Sequence, residues 1–278
     1  MQSSRSTVTP IHARRSEVVT PLVRALSILS AFAAHDTWLS NKEIALRVGL
    51  PVSTVSRLLK SLVLLGYACH SSRTRQYRLA AAVLGLGYSA TSHSDIQHSI
   101  RNGAVDYAGE HDMTVLLATR DRLDVVILDS YQGARHARGN GLYAGSRFEI
   151  GCSALGSTLL AGLPALERSY LMESIARRRP EAWPELEAQI NTALRQISGV
   201  GFHYSLSQAE SGMALLSVPL NLAGRGLFVL ACVGSHAYMS KARVTRELGP
   251  KLVVLANQLK RLHGNVPLAN QSTVGVRS

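Results

Sequence analysis

The stretch from Ser40 to Leu79 constrains this chain most, because helix, turn, helix and basic hairpin signals follow one another there within forty residues. Ser40-Asn41-Lys42-Glu43 has the capping-box pattern, a serine followed three residues later by a glutamate. Ile44, Ala45 and Val48 give the short helix a buried side, and Gly49 can end it in the left-handed geometry that glycine tolerates. Pro51 fits the start of the next helix, where a missing N–H costs nothing. Val55, Leu58, Leu59 and Leu62 then recur at helical spacing, so one stripe packs inward. Ser53, Thr54, Arg57, Lys60 and Ser61 lie on the other side, and hydroxyls with cations on an exposed helix suit a DNA major groove. Tyr67 to Leu79 carries Arg73, Arg75 and Arg78 around an expected turn at Ser71-Ser72, the profile of a basic β wing. A small helical hairpin with a solvated face would explain any one of these signals, but not their order.

Charge supports the same reading. The net charge is +12, and residues 1–79 hold eleven Lys/Arg against three acids. A basic end points to a polyanion, most simply nucleic acid. The phosphate-contacting candidates are Lys42, Lys60, Arg73 and Arg75, with Arg14 and Arg15 upstream; the base-edge candidates are Ser53, Thr54 and Arg57. Asn41, Pro51 and Ser56 complete the candidate DNA-contacting set. For Arg57, a bidentate pair with guanine and a plain phosphate contact are both open.

Several classes are excluded. Residues 1–20 are rich in Ser, Thr and Arg without an apolar core, so a disordered basic tail is expected rather than a secretory signal. No uninterrupted apolar run is long enough to cross a membrane, Leu215 to Gly234 being broken by Pro219, Asn221 and Arg225. Cys69, Cys152 and Cys232 are scattered without CxxC spacing, so neither a disulfide framework nor a zinc site is expected, and reduced thiols in the cytoplasm are the default. His93 and His98 are five apart, poor spacing for a shared metal, and no cofactor is implied. Gly85-Leu86-Gly87-Tyr88-Ser89-Ala90 has the letters of a dinucleotide fingerprint but sits in a helical pattern rather than after a strand. Gly151-Cys152-Ser153-Ala154-Leu155 lacks the second glycine of a nucleophile elbow, so no enzyme is expected.

Pro21 to Ala34 reads as a first helix with Leu22, Ala25, Leu26, Leu29 and Phe32 inward, and Ala80 to Ser99 as a connector helix. The rest, 100–264, reads as helices interleaved with strand pairs. The pairs are Met113–Thr119 with Leu123–Ser130, and Met213–Leu220 with Gly226–Val233; Leu142–Ile150 is a further extended stretch. The helices are Ile100–His111, Ser153–Leu163, Pro164–Arg178, Glu185–Ser198 and one near Lys251–His263. This is an α+β chain with an antiparallel sheet in its second domain. Residues 265–278 are expected to be a disordered tail.

Over Pro21 to Gly264 the sequence resembles the IclR-type bacterial transcription regulators. The resemblance rests on Arg24-Ala25-Leu26-Ser27-Ile28-Leu29, Glu43-Ile44-Ala45, Gly49-Leu50-Pro51, Ser53 to Leu59 and Gln76-Tyr77-Arg78-Leu79. It continues with Leu84-Gly85-Leu86-Gly87, Ser153-Ala154-Leu155-Gly156, Leu159-Leu160-Ala161, Gly201-Phe202, Gly212 and Ser217-Val218-Pro219. It implies a winged helix-turn-helix (21–79), a connector helix (80–99) and a GAF-like effector-binding domain (100–264). It also implies homodimers or homotetramers on palindromic double-stranded operators, regulating a catabolic operon as repressor or activator in response to a small organic acid. The stretch Leu230 to Ala237 is reminiscent of the branch that controls aromatic acid degradation. Ser153 and the amides of Ala154 and Leu155, at a helix N-terminus, could hold an effector carboxylate, and a Ser153 that only caps its own helix is equally open. Leu142, Leu215 and Cys232 could supply apolar wall, and the stretches implied to line the pocket include Cys152, Glu210 and Gly234. The chain departs from the family in having Ser157 after Ala-Leu-Gly, Glu149-Ile150-Gly151 for the usual Pro-Leu-His, and Ser205, Ser207 and Gln208 where acids are common. A DNA-binding architectural protein without a ligand is the competing reading, and a ligand-induced stability shift would disfavour it.

Overall fold

The computed structural model describes residues 19–32, 36–91, 95–133, 142–206 and 212–264. Arg14, Arg15, His93, Glu210 and the tail 265–278 therefore lie outside the described residues. The chain divides into two compact units, Met1–Ser92 and His93–Ser278.

The first unit runs α1 (Thr20–Ser30), β1 (Leu39–Ser40), α2 (Asn41–Val48), α3 (Val52–Leu64), β2 (Ala68–Ser71), β3 (Gln76–Leu79) and α4 (Ala81–Thr91). The capping box at α2 is made in both directions: Glu43 N–H donates to Ser40 Oγ (3.3 Å), and Ser40 N–H donates to Glu43 Oε2 (2.7 Å). Gly49 ends α2 with φ of +65°, and Pro51 is the N-cap of α3 rather than its first helical residue. Ile28, Ile44, Val55, Leu59, Leu62 and Tyr77 form the core. β3 lies between β1 and β2, both antiparallel to it, so the residues around Trp38-Leu39 form a third wing strand rather than a plain link. The inward stripe expected of α1 needs correction. Leu22 and Leu26 are 58% and 54% exposed, and Ile28 is the buried residue, flanked by partly buried Leu29 and Phe32.

Of the stretch 80–99 expected to be a connector helix, the structure describes α4 (Ala81–Thr91), with Leu84 75% exposed, while residues 92–94 lie outside the described residues. The helix α5 (Asp95–His111) takes in both the last part of that stretch and Ile100–His111. The second unit continues with β4 (Thr114–Asp121), β5 (Asp124–Gln132), β6 (Arg147–Glu149), a 3-10 turn (Ile150–Cys152) and α6 (Ala154–Gly162). Then come α7 (Ala165–Arg178), α8 (Trp183–Val200), β7 (His203–Leu206), β8 (Met213–Leu222) and β9 (Gly226–Ser235). The last elements are α9 (Lys241–Arg243), a π-helical turn (Val244–Leu248) and α10 (Gly249–Gly264). All neighbours in the sheet are antiparallel, in the order β6-β5-β4-β9-β8-β7.

Side chains alternate across this sheet with period two. Val115, Leu117, Leu216, Leu230 and Cys232 share one apolar cluster with Ile100, Tyr107, Leu252 and Ala256 of α5 and α10. Leu116, Ile127, Val229 and Ala231 share the other with Leu155, Leu159, Ile175 and Ile190 of α6, α7 and α8. The sheet is thus covered on both faces, the α+β arrangement that the strand pairs imply.

Candidate functional site

α3 presents the candidate reading face. Its buried side is Val55, Leu59 and Leu62, while Ser53, Arg57 and Lys60 are exposed at spacings of four and three and so form one outward stripe. At 1.5 Å per residue the stripe is about 10 Å long, which a major groove accommodates. Thr54 and Ser56 flank it half-buried, Pro51 and Lys42 are exposed, and Asn41 is half-buried. In the wing, Arg75 N–H donates to the Ser71 carbonyl (2.8 Å) and Thr74 N–H to Ser71 Oγ (3.2 Å), which moves the turn from Ser71-Ser72 to Ser72–Arg75. Arg75 closes it at φ of +55°, a conformation that side chains rarely adopt. Arg73 and Arg75 are both exposed there.

Not every cation of this unit is available to DNA. Arg47 is ion-paired with Asp36, its Nη2 donating to Oδ1 (3.1 Å), and its Nη1 also donates to the Ala31 carbonyl (2.9 Å). The Asp36 carboxylate holds that guanidinium above its usual pKa. Arg78 lies over the Trp38 ring at 5.2 Å, a cation–π contact that ties β3 to the residues before β1. These two arginines shape the unit.

The second candidate centre is the N-terminus of α6. Ser153 is its N-cap: its Oγ accepts from Gly156 N–H (3.1 Å), and its carbonyl accepts from Ser157 N–H (2.9 Å). Ala154 and Leu155 occupy the first two helical positions, where an amide has no intrahelical acceptor. Gly156 is fixed by space, since a Cβ there would lie 1.9 Å from the Ile150 carbonyl oxygen. The 3-10 turn can pack this closely on α6 only because that side chain is missing.

The structure brings together some of the sequence candidates and separates others. Leu142, Leu155 and Leu215 join the apolar cluster on the α6 face of the sheet. Cys232 does not. Leu215 pairs with Val233, so the residue before it, Cys232, points to the opposite face, into the cluster with α5 and α10. There it lies 4.0 Å from the Tyr107 hydroxyl, and burial pushes its thiol up to about 12. Gly234 faces the same side, between Met113 and Met239. Cys152 is exposed in a surface hollow with Leu123, Ile175 and Arg178, and its thiol donates to Glu149 Oε2 (3.3 Å). Burial and that carboxylate raise its pKa, the reverse of an activated nucleophile. Among the described residues, no group of three or more His, Cys, Asp or Glu could hold a metal ion, and no helix is long and apolar enough to cross a membrane.

The IclR helix-turn-helix domain matches residues 21–70. The crystal structure of an IclR family transcriptional regulator from Brucella abortus is 30% identical and covers 93% of this chain and 97% of its own, with a TM-score of 0.77. The chain belongs to the IclR family of transcriptional regulators. The HTH-type transcriptional regulator TsaQ1/TsaQ2 of Comamonas testosteroni is 29% identical over 247 residues, 87% of this chain and 88% of that one. An IclR homolog from Microbacterium hydrocarbonoxydans, solved in complex with 4-hydroxybenzoate, shares the fold at 18% identity and a TM-score of 0.63, covering 87% and 100% of the two chains. The IclR chain described here is accordingly a DNA-binding transcriptional regulator and not an enzyme.

Against this IclR background, the sequence reading missed the polar residues that α6 packs upon. Thr158, His203 and Ser217 are buried and bonded to one another beneath the helix. Their signal was weak because His203 and Ser217 meet only through the pairing of β7 with β8.

Proposed function

We propose that this regulator binds a palindromic operator as a homodimer or homotetramer, controls a catabolic operon from the cytoplasm, and responds to a small organic acid held at the α6 N-terminus. The DNA-reading unit (21–79) would be joined through 80–99 to the effector-binding domain (100–264). Ser53, Thr54 and Arg57 would meet base edges while Lys42, Lys60, Arg73 and Arg75 meet phosphates. The observation that carries the effector reading is the opening turn of α6, a serine-capped helix start packed on an apolar cluster. The opening amides of α6 and its helix dipole would attract a carboxylate, and Leu142 and Leu215 belong to the apolar cluster on which that helix packs. The relative solved with 4-hydroxybenzoate supports placing aromatic acids in the first panel of compounds.

The test is a thermal-shift screen of aliphatic and aromatic carboxylates, followed by operator binding with and without any compound that stabilises the protein. A saturable rise in melting temperature that Ser153→Ala diminishes is the expected result. A rise unaffected by Ser153→Ala and by a bulky Ala154→Phe would remove this site from consideration. The effector would act by favouring one arrangement of the reading heads over another.

A further inference from the structure

The polar layer under α6 is costly unless it does something an apolar layer could not. Thr158, His203 and Ser217 are at most 4% exposed and lie on the sheet face covered by α6 and α8. Thr158 Oγ1 is 2.9 Å from His203 Nδ1, 2.7 Å from Ser217 Oγ and 3.0 Å from the Ala154 carbonyl. A hydroxyl has one proton and two lone pairs, so Thr158 is saturated, and a change at any member reorients the others. Burial holds His203 neutral, down at about 4. Three small apolar residues would fill this space at no polar desolvation cost. What hydrogen bonds add is direction: apolar contacts tolerate sliding, while a saturated network admits one register.

That register is between α6 and the sheet edge. Thr158 is one turn after Ala154, so both face the strands, and His203 and Ser217 are cross-strand partners on β7 and β8. β7 is the terminal strand of the sheet, held on its other side where Tyr204 N–H donates to Gln196 Oε1 (2.8 Å) of α8. We infer that Thr158, His203 and Ser217 are positioning residues of the effector site, fixing the first turn of α6 on β7 and β8 so that the Ala154 and Leu155 amides are presented in a single geometry. The inference rests on the reading of the α6 N-terminus as that site. It adds residues that touch no effector themselves and act through the Ala154 backbone.

The test uses the full chain and amide hydrogen exchange, with 4-hydroxybenzoate as probe. Thr158→Val keeps shape and removes the hub hydroxyl; His203→Phe removes the imidazole donor and acceptor; His203→Gln keeps both functions on a smaller side chain. Thr158→Val and His203→Phe are expected to raise exchange at least tenfold in 154–160 and 203–206, leaving β4 and β9 within twofold. They should also raise, at least fivefold, the probe concentration that half-protects 154–160, and His203→Gln should return both readouts towards wild type. A rise spread evenly over the sheet would mean general core stability and overturn the inference. So would unchanged exchange in α6, or unchanged probe protection alongside a local rise. Failure of the effector-site reading is distinct: no carboxylate of the panel would protect 154–160 in the wild type, and the local exchange pattern alone would then decide whether the network holds that turn.

Discussion

Removing Lys60 should separate the cations proposed to meet DNA from those that build the first unit. Four exposed candidates, Lys42, Lys60, Arg73 and Arg75, face outward from α2, α3 and the wing. Each phosphate neutralised releases counterions and adds about 0.9 to the slope of log K against log salt, so four contacts per chain predict a slope near −4. Affinity should then fall about a hundredfold per bound chain between 50 and 200 mM salt. Lys60→Ala should lower the slope by about one per chain on any duplex, because this contribution carries no sequence information. Arg47→Ala is the control. Its guanidinium is engaged by Asp36 and the Ala31 carbonyl, so the substitution should cost roughly 1–2 kcal/mol of stability and leave the slope unchanged. Fluorescence anisotropy of a labelled mixed-sequence duplex, titrated at five salt concentrations, gives the slopes directly. An unchanged slope in Lys60→Ala, or an equal loss in Arg47→Ala, would refute the division of labour read from these side chains.

The remaining predictions concern the second unit. Gly156→Ala places a Cβ 1.9 Å from the Ile150 carbonyl oxygen, and the atoms it meets there are backbone. It should destabilise this unit by roughly 1–3 kcal/mol or more, read as a lower urea midpoint, while non-specific DNA binding persists; an unchanged midpoint would contradict the packing. His203 titrates at about 4 in the folded chain against an ordinary 6.5, so the unfolded state takes up its proton first. Its contribution is therefore whole above about pH 6.5 and is lost as pH falls towards 4, roughly 2–3 kcal/mol by pH 4.5. Urea unfolding at pH 7 and 4.5 should show that loss in the wild type and a much smaller one in His203→Gln; equal losses would show that His203 is not the group responsible.

The features legible in the sequence are those whose cause is local. Ser40 and Glu43 are three residues apart and make both capping bonds; Gly49 needs only its own φ; Val55, Leu59 and Leu62 sit on one helix face and are buried together. Ser153 caps α6 for the same local reason. What escaped depends on partners distant in sequence. Periodicity marks Leu22 and Leu26 as apolar, but not which apolar side of α1 meets its own core, and the core takes Ile28. β7 is short, with His203 and Ser205 in place of an apolar alternation, and its partner strand begins seven residues after it ends. Cys232 and Leu215 look equally suited to a pocket wall until the pairing of Leu215 with Val233 fixes their parity and puts them on opposite faces.

The central claim is that α3 reads sequence through Arg57 and its neighbouring hydroxyls. Selection of duplexes from a random pool tests it most directly, run in parallel with the wild type and Arg57→Ala. The account predicts a palindromic consensus for the wild type. With Arg57→Ala, preference should relax at one guanine in each half-site, by about 1–3 kcal/mol, and persist elsewhere. An unaltered consensus recovered with uniformly weaker binding would contradict it and make Arg57 a phosphate contact.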